Sequence, residues 1–411
     1  MNQNELADVH KQYPIIQTSF DKLYDYCERE GWQGWDVYDG LNSRVLTATG
    51  LDQLPFARLA VIQLLKRSPV NLRPLLAVPK GFNPKGLGLF LDANVRRFER
   101  TGDEPYKRNA VWLADKLLEL TTEKQTGKAY SGICWGYNFP WQARAFYQAR
   151  WSPTVVATTF ITAAFLEAYR VLKDEKYLDV ARSASQFVVK DLQRIPNARG
   201  AGYCLSYSPH DRAEVYNASL LGSRLLARVY SHTNEPPLIE VAEASVQYCL
   251  SRQRDDGSWL YGEAGYQDWI DGFHTGFNLE CLYDFIAAAG KREYEPQLQK
   301  GYAFYRNHFF TDDGDCKYYH NRLHPIDCHS VAQAVITVLK CGNDAVLAEK
   351  ILLRAIETMQ DADGYFYYQR TPRSINHAAY IRWTQAWMLY ALSYFLHWNS
   401  SHQTSHQNGH Q

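Results

Sequence analysis

The sequence lacks the short motifs that identify common nucleotide, metal and hydrolase sites. It contains no Walker loop, no dinucleotide-binding glycine fingerprint, no zinc-ligand spacing and no G-x-S-x-G nucleophile elbow. It also lacks an excess of either charge, since 44 Lys and Arg balance 44 Asp and Glu. This balance argues against nucleic acid or an anionic membrane as the main partner. The sequence therefore predicts no metal and no cofactor.

Membrane and disulfide signals are absent as well. No apolar run is long enough to suggest a transmembrane segment, and the polar start of the chain is unlike a secretory signal. The eight cysteines are scattered without the spacing of a disulfide framework, so we expect free thiols in a reducing compartment. These features predict a cytoplasmic protein. The polar segment 399–411 has the composition of a disordered tail.

A repeated block occupies most of the chain. Each copy contains a one-sided amphipathic helix, a loop rich in glycine and aromatic residues, and a second helix that is more apolar. The predicted outer helices are 54–68, 104–122, 176–192, 238–252, 294–309 and 345–360. The apolar inner helices are predicted to begin at capping residues, namely Asn83-Pro84, Ser152-Pro153, Asp211, Asp271, Asp327 and the stretch before Tyr380. Asp211 and Glu214 have the spacing of a capping box.

Six helix pairs of this kind can close into a ring around a pocket. The sequence therefore predicts an all-α fold, an (α/α)6 toroid of six helical hairpins at 54–398. Residues 1–53 are predicted to form a helix and polar loop packed on it. The long connections all run from an outer to an inner helix and carry Asp-Gly turns that favour small β-hairpins. One face of the ring is thus elaborate, and it is where we expect a site.

Several strings in the chain resemble bacterial polysaccharide-biosynthesis proteins of the VpsJ type. They are SPVNLRPLL (68–76), PKGFNPKGLGLFL (79–91), CWGYNFPWQ (134–142), FHTGFNLECL (273–282), DCHSVAQA (327–334) and YIRWTQAWMLYAL (380–392). The resemblance runs from about residue 33 to 397. It implies an (α/α)6 toroid of the six-hairpin glycosidase-like superfamily that acts in exopolysaccharide or other surface-glycan assembly. It implies no particular reaction.

Other toroid families share weaker features with the chain. QRDDGSW (253–259) and QDADGYF (360–366) are similar to a repeat of class II terpene cyclases, but the Asp-x-Asp-Asp acid is missing. Protein prenyltransferases bind zinc through Asp, Cys and His, which are adjacent here at 327–329 rather than separated. Sugar 2-epimerases and uronyl 5-epimerases use residue types that are present, without a full motif. A prenyl-chain or terpene protein is therefore the third alternative.

Two histidines at the starts of inner helices are the strongest catalytic candidates. His274 and His329 follow the capping aspartates of neighbouring inner helices, so both imidazoles are expected to face one cavity as acid and base. Tyr380 is predicted to assist them. Asn278 and Gln333 lie one helical turn further along the same faces. The alternative is that each histidine only stabilises the start of its helix.

Aromatic and basic residues near the same face are predicted to bind substrate. The tryptophans can stack on sugar rings, and Arg382 offers a planar fork for a uronate or phosphate. The predicted substrate-binding residues, besides Asn278 and Gln333, are Arg382, Trp383, Trp135, Tyr137, Trp141, Arg144, Trp259, Trp269, Asp39, Arg73 and Lys80. For several of these residues, packing in the ring wall is the alternative interpretation.

The sequence thus predicts an enzyme that modifies an acidic or carrier-linked carbohydrate by acid and base chemistry, of the epimerase or lyase type. Its expected partner is an oligosaccharide or polysaccharide, and it is expected to associate with membrane-bound glycan machinery. A non-catalytic glycan-binding or assembly protein is one alternative. A glycoside hydrolase is another, although it requires two facing carboxylates and the pool of Asp39, Asp268, Asp271 and Glu280 shows no pairing.

Overall fold

The helices follow the predicted alternation of amphipathic and apolar segments. The computed structural model describes residues 3–142 and 147–407. Its α-helices are α1 Gln3–Arg29, α2 Arg44–Thr49, α3 Pro55–Arg67, α4 Pro84–Thr101, α5 Glu104–Glu119, α6 Thr122–Thr126, α7 Val155–Leu172, α8 Glu175–Lys190, α9 Tyr216–Thr233, α10 Pro236–Leu250, α11 Gly272–Ala289, α12 Glu295–His308, α13 Cys328–Gly342, α14 Ala345–Met359 and α15 Trp387–Gln407. Short 3-10 helices span Asp39–Asn42, Leu51–Gln53 and Arg292–Tyr294, and a π-helical turn, Ile381–Ala386, leads into α15.

Six apolar helices form a closed inner ring. Along the chain α4, α7, α9, α11, α13 and α15 each pack on the next, and α15 returns to pack on α4. The helices α5, α8, α10, α12 and α14 pack outside, each on the inner helix that precedes it in the chain. This arrangement is the predicted (α/α)6 toroid, so the fold prediction is confirmed.

The sixth outer helix is α1 and not the predicted segment 54–68. Helix α1 packs on α14 and α15, and Ile16, Phe20 and Leu23 on it are completely buried. Helix α3 instead contacts the 3-10 helices and a short strand on the loop side of the ring, and it buries only Ile62 and Leu65. Part of the predicted lead-in therefore belongs to the ring itself. The reason is that α1 offers a larger apolar face for packing than α3 does.

Side-chain caps begin three of the six inner helices at the residues that the sequence predicts, and α7 is capped by Thr154, two residues after the predicted Ser152. Asn83, Asp271 and Asp327 each accept a backbone N–H from the first turn of α4, α11 and α13. The prediction at Asp211 is wrong, because α9 begins at Tyr216 after Val215. Asp211 accepts hydrogen bonds within the preceding loop instead, so it does not form a capping box.

Small antiparallel strands lie in the outer-to-inner connections, as predicted. Strand β1 (Trp141–Gln142) pairs with β2 (Tyr147–Gln148), and β3 (Arg194–Pro196) pairs with β4 (Tyr203–Leu205). Strands β5 (Ile326–Asp327), β6 (Gln369–Arg370) and β7 (Ile375–Asn376) form a three-stranded sheet. The reverse connections, from inner to outer helices, have only a few residues, so the two faces of the ring differ as expected.

The Asp-Gly turns fix each hairpin against the next outer helix. Gly257 and Gly364 have left-handed φ angles of 92° and 101°. A Cβ at either position would lie 2.3 Å from a backbone carbonyl oxygen, that of Lys300 in α12 or Lys22 in α1. Only glycine allows both the turn and this close approach. The contact of Gly364 with α1 repeats the contact of Gly257 with α12, which again identifies α1 as an outer helix.

Two further segments differ from the sequence-based expectation. Helix α7 is long and apolar enough to cross a membrane, although 67% of it is buried inside the protein, as befits an inner helix of the ring. Helix α15 continues to Gln407, so most of the polar segment predicted to be disordered is helical in the structure. The eight cysteines are free thiols, and seven of them are buried.

Candidate functional site

The N-terminal ends of the inner helices surround an aromatic cluster that contains both predicted histidines. His274 and His329 both contact Phe273, with ring centroids 4.0 and 4.5 Å from the centroid of its ring. Phe277 contacts the same two imidazoles at 5.9 and 5.8 Å. The structure therefore brings the two predicted imidazoles together at the elaborate end of the bore.

His274 is held by the carboxylate that caps its own helix. Its Nδ1 lies 2.7 Å from Oδ2 of Asp271, and the indole Nε1 of Trp269 donates to the same oxygen at 2.9 Å. Asp271 is buried, whereas the His274 side chain is 22% exposed. Since Nδ1 is engaged with Asp271, Nε2 is the nitrogen left to exchange a proton with a ligand. Tyr261 stacks on Trp269 at 4.5 Å and covers one side of this arrangement.

His329 lies deeper in the cluster and is uncharged. It is 1% exposed, and neither ring nitrogen has a hydrogen-bond partner among the described residues. Burial lowers its pKa well below the usual value, and the positive charges of Lys85 and Arg382 lower it further. Unsatisfied buried nitrogens are costly, so this imidazole is suited to hydrogen-bond with a bound ligand.

Lys85 enters the same cluster; the sequence leaves this basic residue at the start of α4 open between an anion contact and a solvated surface. Its Nζ lies 4.0 Å from the ring centroid of Phe160 and 5.2 Å from that of Trp387. Burial lowers the pKa of Lys85 well below its ordinary value, and the positive charges of Arg382 and Arg224 lower it further. The sequence carries a signal for it, because Lys85 follows the cap Asn83 by two residues, as His329 follows Asp327.

The cap of α13 organises the wall beside His329. Asp327 accepts hydrogen bonds from Trp383 Nε1 at 3.1 Å and from Gln369 Nε2 at 2.6 Å. Burial raises the pKa of Asp327 to about 6. The Trp383 ring meets the His329 ring edge to face at 4.6 Å. Trp383 therefore borders the predicted site, although it is only 6% exposed.

Arg382 is paired inside the protein, so its guanidinium is not exposed on the face of the ring that carries the long loops. Its Nε and Nη2 donate to the two carboxylate oxygens of Asp36 at 2.6 and 2.7 Å, and both side chains are buried. The guanidinium also lies over the rings of Tyr137 and Trp383, at 5.0 and 5.4 Å. This pair fixes the lead-in segment to the start of the last inner helix, and the Nε and Nη2 donors that it uses are not available for a substrate anion.

A second buried cluster joins three other predicted residues, Arg73, Asp39 and Tyr380. Arg73 donates to Asp39 Oδ1 at 2.5 Å and to the Tyr380 hydroxyl at 2.7 Å, and its third contact is the carbonyl of Val37. Arg73 is completely buried, and Tyr380 is 1% exposed. Burial raises the pKa of Asp39 to about 6 and that of Tyr380 to about 12. These residues hold the loop against the ring, and none of them reaches the two histidines.

Two predicted stacking residues belong to the core. Trp135 is 0% exposed and donates to the Leu117 carbonyl at 2.7 Å, and Trp259 is 2% exposed and donates to the Cys249 carbonyl at 3.0 Å. Their indoles face the backbone of outer helices, so the prediction that they line the mouth is wrong. The presence of a tryptophan in a glycine-rich loop does not show whether its side chain packs in the core or lines a binding surface.

The remaining predicted residues are dispersed over the elaborate face and the bore. Tyr137 is buried and stacks on Phe139, whereas Trp141 lies half-buried in β1. Lys80 is exposed and pairs with Glu30, and Arg144 lies outside the described residues. Asn278 and Gln333 are buried deeper in the bore, each with an amide oxygen that has no partner among the described residues.

Comparison with known proteins identifies the fold and no closer relationship. No protein-family model and no curated protein sequence matches the chain. The structure is similar to a cellobiose 2-epimerase from Bacillus thermoamylovorans, with a TM-score of 0.59 and 14% identity over 76% of this chain and 87% of that one. It is similar to an unsaturated glucuronyl hydrolase from Streptococcus agalactiae, with a TM-score of 0.59 and 12% identity over 97% and 92%. A GH76 α-mannanase from Bacteroides thetaiotaomicron gives a TM-score of 0.56 and 12% identity over 78% and 87%.

Proposed function

We propose that this chain is a carbohydrate-active enzyme that transfers a proton at a sugar carbon, by epimerase or lyase chemistry. The observation that carries the proposal is the pair of imidazoles that both contact Phe273, one partly exposed and one buried. Toroids with similar structures include a cellobiose 2-epimerase and an unsaturated glucuronyl hydrolase, which supports a carbohydrate as the ligand.

His274 is the proposed base. Its Nε2 removes the proton from the sugar carbon next to a carbonyl group, and the Asp271 carboxylate at Nδ1 stabilises the imidazolium that forms. Trp269 holds the same carboxylate in place through its indole N–H. The proton on His274 then exchanges with solvent before it returns to carbon, which makes solvent deuterium the natural probe of the reaction.

His329 is the proposed electrophile. A neutral imidazole keeps one N–H that can donate to the carbonyl oxygen, where negative charge develops as the carbon loses its proton. Its low pKa, which follows from burial, maintains that neutral form at physiological pH. Trp383 and Tyr261 flank the two histidines and supply aromatic faces for the sugar ring.

The substrate is a neutral sugar or the neutral part of a carrier-linked glycan. Two of the arginines predicted to bind substrate, Arg382 and Arg73, are paired with Asp36 and Asp39. The resemblance of the loop strings to polysaccharide-biosynthesis proteins supports a role in surface-glycan assembly, beside membrane-bound glycan machinery. The free thiols support a cytoplasmic location.

Mass spectrometry of a glycan panel in heavy water tests the proposal. The panel contains neutral, acidic and carrier-linked sugars, each incubated with the purified protein. We expect deuterium to appear at carbon in a neutral sugar, with an unsaturated product if the reaction is an elimination. His274→Asn should abolish the incorporation. His232→Gln is the matched control, since His232 is an exposed histidine at the opposite end of the ring and should leave the rate unchanged. No covalent change in any sugar, with ligands still raising the melting temperature, would instead indicate a glycan-binding protein.

A glycoside hydrolase is the second candidate, on the basis of Asp327. Its raised pKa of about 6 is the property expected of a carboxylic acid that protonates a leaving group. However, its oxygens already accept bonds from Trp383, Gln369 and the backbone of His329. The same mass spectra decide between the two, because hydrolysis adds water and leaves carbon-bound hydrogen unexchanged.

A further inference from the structure

A cavity lies inside the ring, toward the end opposite to the histidines. Its volume is about 240 Å³, and all six inner helices contribute to its lining. Phe160 lines it on the side of the aromatic cluster, where the same ring packs on Phe277 and Trp387 at 5.1 and 5.3 Å. The cavity is therefore a chamber of its own, separated from the two histidines by an aromatic layer.

Charged side chains from α4, α7 and α9 form one half of the wall. Asp92 and Arg96, one turn apart on α4, pair at 2.5 Å. Glu167 on α7 accepts from Arg228 on α9 at 2.7 Å. The positive charges of Arg96, Arg228 and Arg170 keep the pKa of Glu167 low despite its burial. Carboxylates and guanidinium groups therefore alternate from one helix to the next.

The other half of the wall continues the alternation across α9, α11 and α13. Arg224 pairs with Glu280 at 3.0 Å, and Lys340 pairs with Asp284 at 2.7 Å. Lys340 and Arg224 hold the pKa of Glu280 down, at about 2. Gln333 donates to the second oxygen of Glu280. Four carboxylates and four cations thus line a chamber without net charge.

Two tyrosines of α15 complete the wall. The rings of Tyr390 and Tyr394 line the chamber, and the guanidinium of Arg96 lies over the Tyr394 ring at 4.8 Å. The side chains at one end are nearly inaccessible, with Arg224 and Glu280 each 4% exposed, whereas Arg228 is 22% exposed. The chamber consequently opens toward the face of the ring that has the short connections.

The chemistry of this wall selects a neutral molecule with many hydroxyl groups. Each carboxylate already has a cationic partner, so a charged ligand would have to break an ion pair at considerable cost. Carboxylate oxygens and guanidinium groups retain spare lone pairs and N–H donors, and hydroxyl groups can use both. The tyrosine rings supply the apolar face that a sugar ring or cyclic polyol also needs. The chamber has the volume of about eight water molecules, at about 30 Å³ for each. This volume suits a ligand of monosaccharide size.

The placement of eight charged groups inside the ring, four of them buried, also needs a reason. Apolar residues of similar size usually fill a core at least as stably as ion pairs do, because they avoid the cost of desolvation. We propose that the chamber is a second binding site, for a neutral polyol or monosaccharide. This site does not depend on the reaction at the histidines and stands on its own lining residues.

Isothermal titration calorimetry with defined probes tests this site. The probes are glucose, mannose and myo-inositol as neutral polyols, with glucuronate and glycine betaine as charged comparisons. We expect at least one neutral probe to bind, with Tyr394→Ala and Asp284→Asn each weakening it at least tenfold. The His274→Asn variant, altered at the other end of the bore, should bind that probe with unchanged affinity. Circular dichroism and the melting temperature establish that each variant is folded.

Three results would overturn the proposal. One is the absence of binding by all three neutral probes to the wild-type protein. Another is an affinity that stays the same in Tyr394→Ala and Asp284→Asn, and the third is binding that disappears in His274→Asn. If Tyr394→Ala proves unstable, Tyr394→Phe replaces it, because it keeps the ring and removes only the hydroxyl. An intermediate loss of affinity for the neutral probe in that variant would separate stacking from hydrogen bonding.

Discussion

The buried pair of Asp36 and Arg382 should contribute strongly to stability, and Asp36→Asn tests this. The two side chains are joined by hydrogen bonds of 2.6 and 2.7 Å and are 3% and 4% exposed. At an effective dielectric constant of about 20, two unit charges about 4 Å apart attract by about 4 kcal/mol. Removing one partner leaves the other charge buried and unpaired, which costs about 3–5 kcal/mol. We therefore expect Asp36→Asn to lower the free energy of unfolding by about 3–5 kcal/mol.

Urea denaturation followed by tryptophan fluorescence and circular dichroism measures this loss. The double variant Asp36→Asn/Arg382→Met should recover part of it, because it removes the unpaired guanidinium as well. Arg182→Gln serves as the matched control, since Arg182 pairs with Glu235 at 2.8 Å while the two side chains are 53% and 33% exposed. That substitution should cost about 1 kcal/mol or less. A cost below about 1 kcal/mol for Asp36→Asn would refute the reasoning.

Three further predictions concern stability and catalysis. Burial lowers the pKa of Lys85, so the folded protein binds this proton less tightly than the unfolded chain does. Lys85→Met should therefore raise the free energy of unfolding at pH 7, and this gain should shrink as pH rises toward 10, in urea titrations at several pH values. An unchanged gain across that range would contradict this. In Gly132→Ala, a Cβ would lie 1.8 Å from a backbone oxygen of α8, so the melting temperature should fall by several degrees. Gly265→Ala is the control, because the position has open space around it and the melting temperature should not change. Trp269→Phe removes the indole donor to the carboxylate that orients His274 and should lower kcat about tenfold with little change in melting temperature, so a loss of stability instead would point to a packing role.

The sequence was sufficient to predict the repeat and most of its helix boundaries. The signals are local, because capping residues such as Asn83, Asp271 and Asp327 satisfy the N–H groups of the turn that follows them. The same local spacing placed His274 and His329 at equivalent starts of neighbouring helices. In a ring of parallel inner helices, equivalent positions necessarily lie at one end of the bore.

Contacts between distant parts of the chain could not be predicted in this way. The role of α1 as the sixth outer helix depends on the closure of the ring, which joins the two ends of the sequence. Asp36 and Arg382 are 346 residues apart, so Arg382 looked available for a substrate until its partner was located. Trp135 and Trp259 were misjudged because an indole buried against a backbone carbonyl has the same local sequence context as an exposed one.

The sequence does contain a signal for the charged chamber, namely charged residues within the apolar inner helices. The repeat of helix pairs does not by itself point to them. Isolated charged residues recur about two turns or more into otherwise apolar inner helices, as with Glu167 in α7, Arg224 in α9 and Lys340 in α13. A charge that interrupts an apolar helix must be paired or solvated. When it recurs at similar depth in successive repeats, the charges meet in the bore.

The most direct test of the proposed reaction is the rate at which a sugar C–H bond exchanges with heavy water, measured by proton NMR. The comparison is between the wild-type protein and His274→Asn on the same sugar. We predict that the variant folds normally and exchanges about 100-fold to 10,000-fold more slowly, as expected when a general base is removed. Exchange at the wild-type rate in a folded His274→Asn protein would contradict the assignment of this site.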